Sequence, residues 1–139
     1  MSKPVLTGLL ETSLYVTDLE RAAAFYQTLL GGGVLYADHR MVALDVGPGQ
    51  VLLLFIQGGS TGPTVTPGGT IPPHDGRGNL HLAFSIPAES LADWERRLAQ
   101  LGIDIEERVT WSRGGTSVYF RDLDGHVVEL ATPGLWANY

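Results

Sequence analysis

Glu11, His81 and Glu129 are the side chains on which chemistry can be built. Two carboxylates and one imidazole form a donor set suited to a divalent first-row metal. Three protein ligands leave coordination positions open for water or substrate, as a catalytic centre requires. Taken singly, each residue has a plainer reading. A glutamate at a strand start is usually solvated, and a lone histidine in a strand is usually structural. Glu129 is harder to dismiss, because it interrupts the apolar run Val127–Ala131, where an unpaired carboxylate is costly if buried.

A repeat in the chain ties the three together. Residues 11–16 (Glu-Thr-Ser-Leu-Tyr-Val) and 81–86 (His-Leu-Ala-Phe-Ser-Ile) both alternate with period two, the pattern of half-buried strands. A helix follows each. Thr17-Asp18-Leu19-Glu20 reads as a capping box, and Ser90-Leu91-Ala92-Asp93 as a weaker one. Leu19, Ala22, Tyr26 and Leu29 share one helical face; so do Leu91, Trp94, Leu98 and Leu101. Gly31 and Gly102 are placed to end these helices. Further strands are expected at 33–39 and 41–46 in the first half, and at 105–111 and 116–121 in the second. The halves close alike, Gly49–Leu54 against Gly125–Leu130. The unit is β-α-β-β-β, used twice, which makes an α+β fold of one domain over 1–139. The first module spans 8–57 and the second 80–134.

This alignment matches Glu11 with His81, and Leu53 with Glu129. In each strand the ionisable residue lies on the face opposite the apolar one: Leu14 and Val16 oppose Glu11, Ser13 and Tyr15, and Leu82 and Phe84 oppose His81. If the sheets curl into a cup, the ionisable face becomes the lining of a cleft. The connecting stretch Gln57–Asn79 has 11 Gly or Pro among 23 residues. It is expected to lack regular structure, and 58–79 to serve as linker and lid.

Composition narrows the rest. Nine Lys and Arg against 15 Asp and Glu give a net charge of -6, which argues against binding nucleic-acid backbones. Arg96-Arg97 is the one dense cationic spot and falls on a helix surface. With no cysteine, disulfides, thiolate ligands and thiol nucleophiles are excluded. The start Met1-Ser2-Lys3-Pro4 does not resemble a signal peptide. The longest apolar run, Val51–Ile56, is too short to cross a membrane. A soluble cytoplasmic protein with no membrane partner is expected.

Three motifs carry a resemblance to a known family. They are Leu14-Tyr15-Val16-Thr17-Asp18-Leu19-Glu20 with Phe25-Tyr26 and Leu30-Gly31; Gly78-Asn79-Leu80-His81-Leu82-Ala83-Phe84; and Tyr119-Phe120-Arg121-Asp122-Leu123-Asp124-Gly125-His126-Val127-Val128-Glu129-Leu130. Together they resemble the glyoxalase/bleomycin-resistance/extradiol-dioxygenase superfamily, the vicinal-oxygen-chelate fold, over residues 8–133. The resemblance implies a metal at Glu11, His81 and Glu129, and a homodimer. The fourth carboxylate found in glyoxalases falls near Leu53, and the second histidine of iron dioxygenases is missing. Mn, Zn, Ni, Mg and Fe all remain open as the cofactor.

The expected function is a metal-dependent enzyme acting on a small oxygenated substrate by isomerase- or lyase-type chemistry. One alternative is a metal-free protein that sequesters a drug-like molecule; another is an extradiol-type dioxygenase. Tyr119 and His74 are candidates to move protons. Ser13, Tyr15, Leu53, Trp111, Ser117 and Arg121 are candidates to touch the substrate, Arg121 through an anionic group or else as a surface ion pair. Trp136 is a second candidate for an apolar wall. His126 is expected on the helix side or in solvent, and His39 in an inert turn.

Overall fold

The computed structural model describes residues 2–139. Its first half runs β1 (Glu11–Val16), α1 (Leu19–Leu30), β2 (Val34–Ala37), β3 (Met41–Asp45) and β4 (Val51–Ile56), followed by the short strands β5 (Thr64–Thr66) and β6 (Gly69–Ile71). The second runs β7 (His81–Ser85), a 3-10 turn (Ala88–Ser90), α2 (Leu91–Gln100), β8 (Glu107–Thr110), β9 (Thr116–Arg121) and β10 (Val127–Ala131). The chain divides into two units, one up to Gly76 and one from Arg77 to Tyr139.

Each unit carries a four-stranded mixed sheet of the same topology, β1-β4-β3-β2 in the first and β7-β10-β9-β8 in the second. The strand that opens each module lies parallel to the one that closes it, and the other pairs are antiparallel. The expected β-α-β-β-β module is therefore present twice. In the first unit, α1 packs on β3 and β4. Its buried face, Ala22, Ala23, Tyr26 and Leu29, accompanies Leu14, Val16, Leu52 and Leu54, all 7% exposed or less. In α2 only Leu98 is buried, and Leu101 is 36% exposed.

Both helix starts differ from the expectation. The cap of α1 is Asp18 rather than Thr17. Its carboxylate accepts the Arg21 amide at 3.0 Å, and its charge suits the positive helix end. Ser90 makes no side-chain cap, because the 3-10 turn runs straight into α2 and gives Ser90 a helical backbone, φ -92° and ψ -8°. A capping side chain needs an extended residue. The end of α1 is as expected: Gly31 turns left-handed at φ 75°, and its amide donates to the Gln27 carbonyl.

The stretch 57–79 is not without regular structure. β5 and β6 pair as an antiparallel hairpin around Pro67-Gly68, with Thr66 opposite Gly69. The overall glycine and proline density hid a short β-branched segment, Thr64-Val65-Thr66, next to a turn dipeptide. Among the described residues no helix is long and apolar enough to cross a membrane.

Candidate functional site

In the second unit the register brings His81 and Glu129 together. His81 is level with Val127, and Glu129 lies two residues further along β10, level with Ala83. Period-two alternation puts both side chains on one face, diagonal to each other. His81 Nε2 lies 3.2 Å from Glu129 Oε1. The other ring nitrogen, Nδ1, lies 3.0 Å from the Val127 carbonyl oxygen. A carbonyl only accepts, so Nδ1 carries the proton. The histidine is half-exposed, whereas Glu129 is 4% exposed.

A chain of donors holds that buried carboxylate. Ser117 Oγ donates to Glu129 Oε2 and accepts from Trp111 Nε1 at 2.8 Å. Tyr119 is level with Glu129 across the β9–β10 pair, and its ring centre lies 6.2 Å from that of His81. Burial, and then the charge of Glu129, push the Tyr119 phenol above its ordinary value. It therefore stays protonated at neutral pH and can donate.

The first unit carries the equivalent face with different side chains. Ser13 is level with Leu53, as Ala83 is with Glu129. The expected match of Leu53 with Glu129 is thus visible in the register. Here the face is an apolar cluster of Ala43, Leu53 and Phe55, joined by Tyr15, Met41 and Val51. It floors a cavity of about 510 Å³, whose rim includes Glu11, Ser13, Arg40, Ile71 and His74.

His74 comes from the stretch expected to be a linker; one hydrogen bond braces that stretch internally, and two contacts with Tyr15 hold it at the cavity. The His74 amide donates to the Ser60 carbonyl at 2.9 Å. The Tyr15 hydroxyl lies 2.7 Å from His74 Nδ1. Gly76 lies so close to the Tyr15 ring that a Cβ there would stand 2.3 Å from it. Burial and the charge of Asp75 push the Tyr15 phenol up, so it keeps its proton and the two side chains share a hydrogen bond.

Other candidates have different roles. Arg121 grips Glu106 through Nε (2.7 Å) and Nη2 (3.3 Å) and the Gly125 carbonyl through Nη1 (3.0 Å), so its guanidinium is engaged on the surface. His126 is 1% exposed, and its Nδ1 accepts the Leu80 amide at 2.9 Å. It ties the Asp122–His126 turn to the start of β7. Trp136 is 66% exposed and walls nothing in its unit. His39 is exposed, in the turn before β3.

Arg40 is the residue that sequence reading passed over. Its partial signal was its place directly before β3, whose alternate residues Met41 and Ala43 face the cavity. Among the described residues no three His, Asp or Glu side chains form a metal-binding cluster. His81 and Glu129 meet in the second unit, and Glu11 belongs to the cavity of the first.

Two modules of this topology agree with the comparison to known proteins. Residues 8–130 match the model of the Glyoxalase/Bleomycin resistance protein/Dioxygenase superfamily, and the chain belongs to that family. The crystal structure of lactoylglutathione lyase from Agrobacterium tumefaciens superposes with a TM-score of 0.86 at 31% identity, covering 97% of this chain and 99% of that one. Metallothiol transferase FosB of Bacillus licheniformis is 43% identical over 53 residues, which span 37% of this chain and 34% of that protein. The fosfomycin resistance protein FosX from Listeria monocytogenes, crystallised with Mn(II) and sulfate, shares the fold at a TM-score of 0.66 and 23% identity, covering 92% of this chain and 91% of that one.

Proposed function

We propose that this chain is a metal-dependent enzyme of the superfamily that acts on a small oxygenated substrate by lyase- or isomerase-type chemistry. His81, Glu129 and Glu11 would hold the ion. The observation that carries the reading is the pairing of His81 Nε2 with Glu129 Oε1. The Nδ1 proton goes to the Val127 carbonyl, which leaves Nε2 to face a carboxylate oxygen 3.2 Å away. A proton on Nε2, making an ion pair, or a cation shared by the two atoms reconciles that approach. Nitrogen and oxygen ligands about 2.1 Å from one ion, at angles between about 90° and the tetrahedral value, stand roughly 3.0–3.4 Å apart. The observed separation falls in that interval, so the donors fit a divalent ion.

When bound, the ion supplies Lewis acidity toward a carbonyl, epoxide or enediolate oxygen. The protein supplies the rest. The Val127 carbonyl fixes the His81 tautomer, and Ser117, backed by Trp111, fixes the Glu129 carboxylate. Tyr119 keeps its phenolic proton and donates it as a hydrogen bond to a substrate oxygen. His74, oriented by Tyr15, serves proton transfer from the first unit.

Calorimetry on chelator-stripped protein with Mn, Zn, Ni, Mg and Fe(II) tests this. One site per chain is expected, lost in both His81→Ala and Glu129→Ala. No binding by the wild type, or binding unchanged in these variants, sinks the reading and leaves a metal-free sequestering protein. With the metal known, lactoylglutathione lyase activity and fosfomycin inactivation are the first assays. We further propose a homodimer in which Glu11 comes from the second copy. Metal sites recovered on mixing Glu11→Ala with His81→Ala chains are the expected result; no recovery places all three donors in one chain.

A further inference from the structure

The cavity of the first unit holds a cation that makes no direct ion pair among the described residues. Arg40 Nη1 donates to Ser60 Oγ at 2.8 Å, Nη2 reaches Met41 Sδ at 3.6 Å, and the guanidinium carbon stands 5.2 Å from the centre of the Phe55 ring. All three neighbours are uncharged. By contrast, Arg96, Arg108 and Arg121 are each ion-paired, with Asp93, Glu95 and Glu106. Arg40 is half-buried yet has no ion pair among the described residues. Asp38, two residues away, feels the Arg40 charge but makes no ion pair with it. Its Oδ1 accepts the amides of Arg40 and Met41, and its Oδ2 accepts the Tyr36 hydroxyl.

The guanidinium is also held in place. Ser60, its hydrogen-bond partner, is 3% exposed, and the Ser60 carbonyl accepts the His74 amide. A neutral, buried anchor orients the fork without neutralising it, which leaves its charge to a ligand. His74 lies in the same lining and offers a second polar contact.

The opposite end of the cavity has the opposite charge. Along β4, Glu11 is level with Val51, while the Arg40 carbonyl accepts the amide of Ile56. Those levels are five residues apart, roughly 16 Å along a strand. Between them lie Leu53, Phe55, Met41, Ile71 and the Tyr15 ring. A volume of about 510 Å³ is ample for a small organic molecule. A bare inorganic anion would leave the apolar floor unused.

We infer that this cavity binds a small organic oxyanion, its charged group on Arg40 and His74 and its apolar body along Phe55 and Leu53 toward Glu11. The inference names the substrate class of the proposed enzyme and rests on that reading only in taking the bound anion to be a substrate. Binding itself needs no metal. The test is therefore run in chelator, by calorimetry or ligand-detected NMR, with benzoate and its neutral isostere benzamide.

Wild type should prefer benzoate by about tenfold or more, the usual worth of a hydrogen bond to a charged partner. Arg40→Gln should abolish the preference and keep its melting temperature, and Arg121→Gln should leave it intact. Ser60→Ala should weaken benzoate by a smaller factor. Equal binding of the two probes, an undiminished preference in Arg40→Gln, or no saturable binding of either overturns the inference. Because no metal is present, each of those results stands apart from the fate of the metal site.

Discussion

The two sheets share topology and register and differ in what they expose on the same face. In the first, the positions of Ala43, Leu53 and Phe55 are apolar. In the second, the register equivalents are Tyr119, Glu129 and Ala131, with Ser117 in the place of Met41. One frame therefore carries an oily floor edged by an arginine, and the other a braced carboxylate beside a histidine. The backbone hydrogen bonds that build a sheet are indifferent to which side chains face away from the helix. That face can change its chemistry while the other keeps the fold, and the buried helix-side residues, Leu14, Leu52 and Leu54 against Val128 and Leu130, stay apolar in both.

The contrast can be broken most severely at Glu129. Glu129→Ala should lower divalent-metal affinity by more than about a hundredfold, beyond what loss of a supporting residue does; calorimetry on the chelator-stripped protein reads it. Transplanting the carboxylate sharpens the comparison. Leu53→Glu should destabilise the metal-free protein by about 2–4 kcal/mol, because the first sheet has no Ser117 to receive it. Urea unfolding checks this, and unchanged stability would mean that the first face is as ready for charge as the second.

Smaller effects are expected from the supports. Ser117→Ala should weaken metal binding about 10- to 100-fold while leaving both direct donors in place. In the first unit, Gly76→Ala should cost about 1–3 kcal/mol, since the added Cβ meets the Tyr15 ring and must push the 58–76 segment off the cavity; the urea midpoint reads this. The mildest effect is on pH dependence. Tyr15 and Tyr119 both sit above the ordinary phenol value of 10. The folded state then holds these protons more tightly than the unfolded one, so stability is insensitive to them below pH 10 and falls as pH rises toward the folded values. Melting temperatures at about pH 9 and about pH 11 should diverge less in Tyr15→Phe and Tyr119→Phe than in wild type.

Much of this arrangement was legible because it is local. Alternation over six residues named the faces of β1 and β7, and Gly31 ended α1 where a left-handed residue was needed. The repeat aligned Leu53 with Glu129, and the parallel registers place them so. The errors were also local, each a choice between adjacent options: Asp18 over Thr17 as a cap, and a hairpin at 64–71 within a glycine- and proline-rich stretch. Partner choices were the harder class. The Ser117 hydroxyl, a candidate substrate contact, donates to Glu129, 12 residues on; Arg121, a candidate anion contact or surface ion pair, pairs with Glu106, 15 residues back. Arg40 drew no notice, because its anchor Ser60 is 20 residues away in a segment that had been read as a linker.

The amino-acid sequence by itself determined the duplicated β-α-β-β-β frame, the helix-side core and the candidates Glu11, His81 and Glu129. Hydrophobic periodicity and turn chemistry act over a few residues and can be read from a single strand. Only the tertiary structure decided which nitrogen of His81 meets which oxygen of Glu129, that Tyr15 and His74 pair across 59 positions, and that Arg40 lines a cavity without a direct ion pair. Those outcomes depend on strand register and loop closure, where a shift of one residue turns a side chain to the other face.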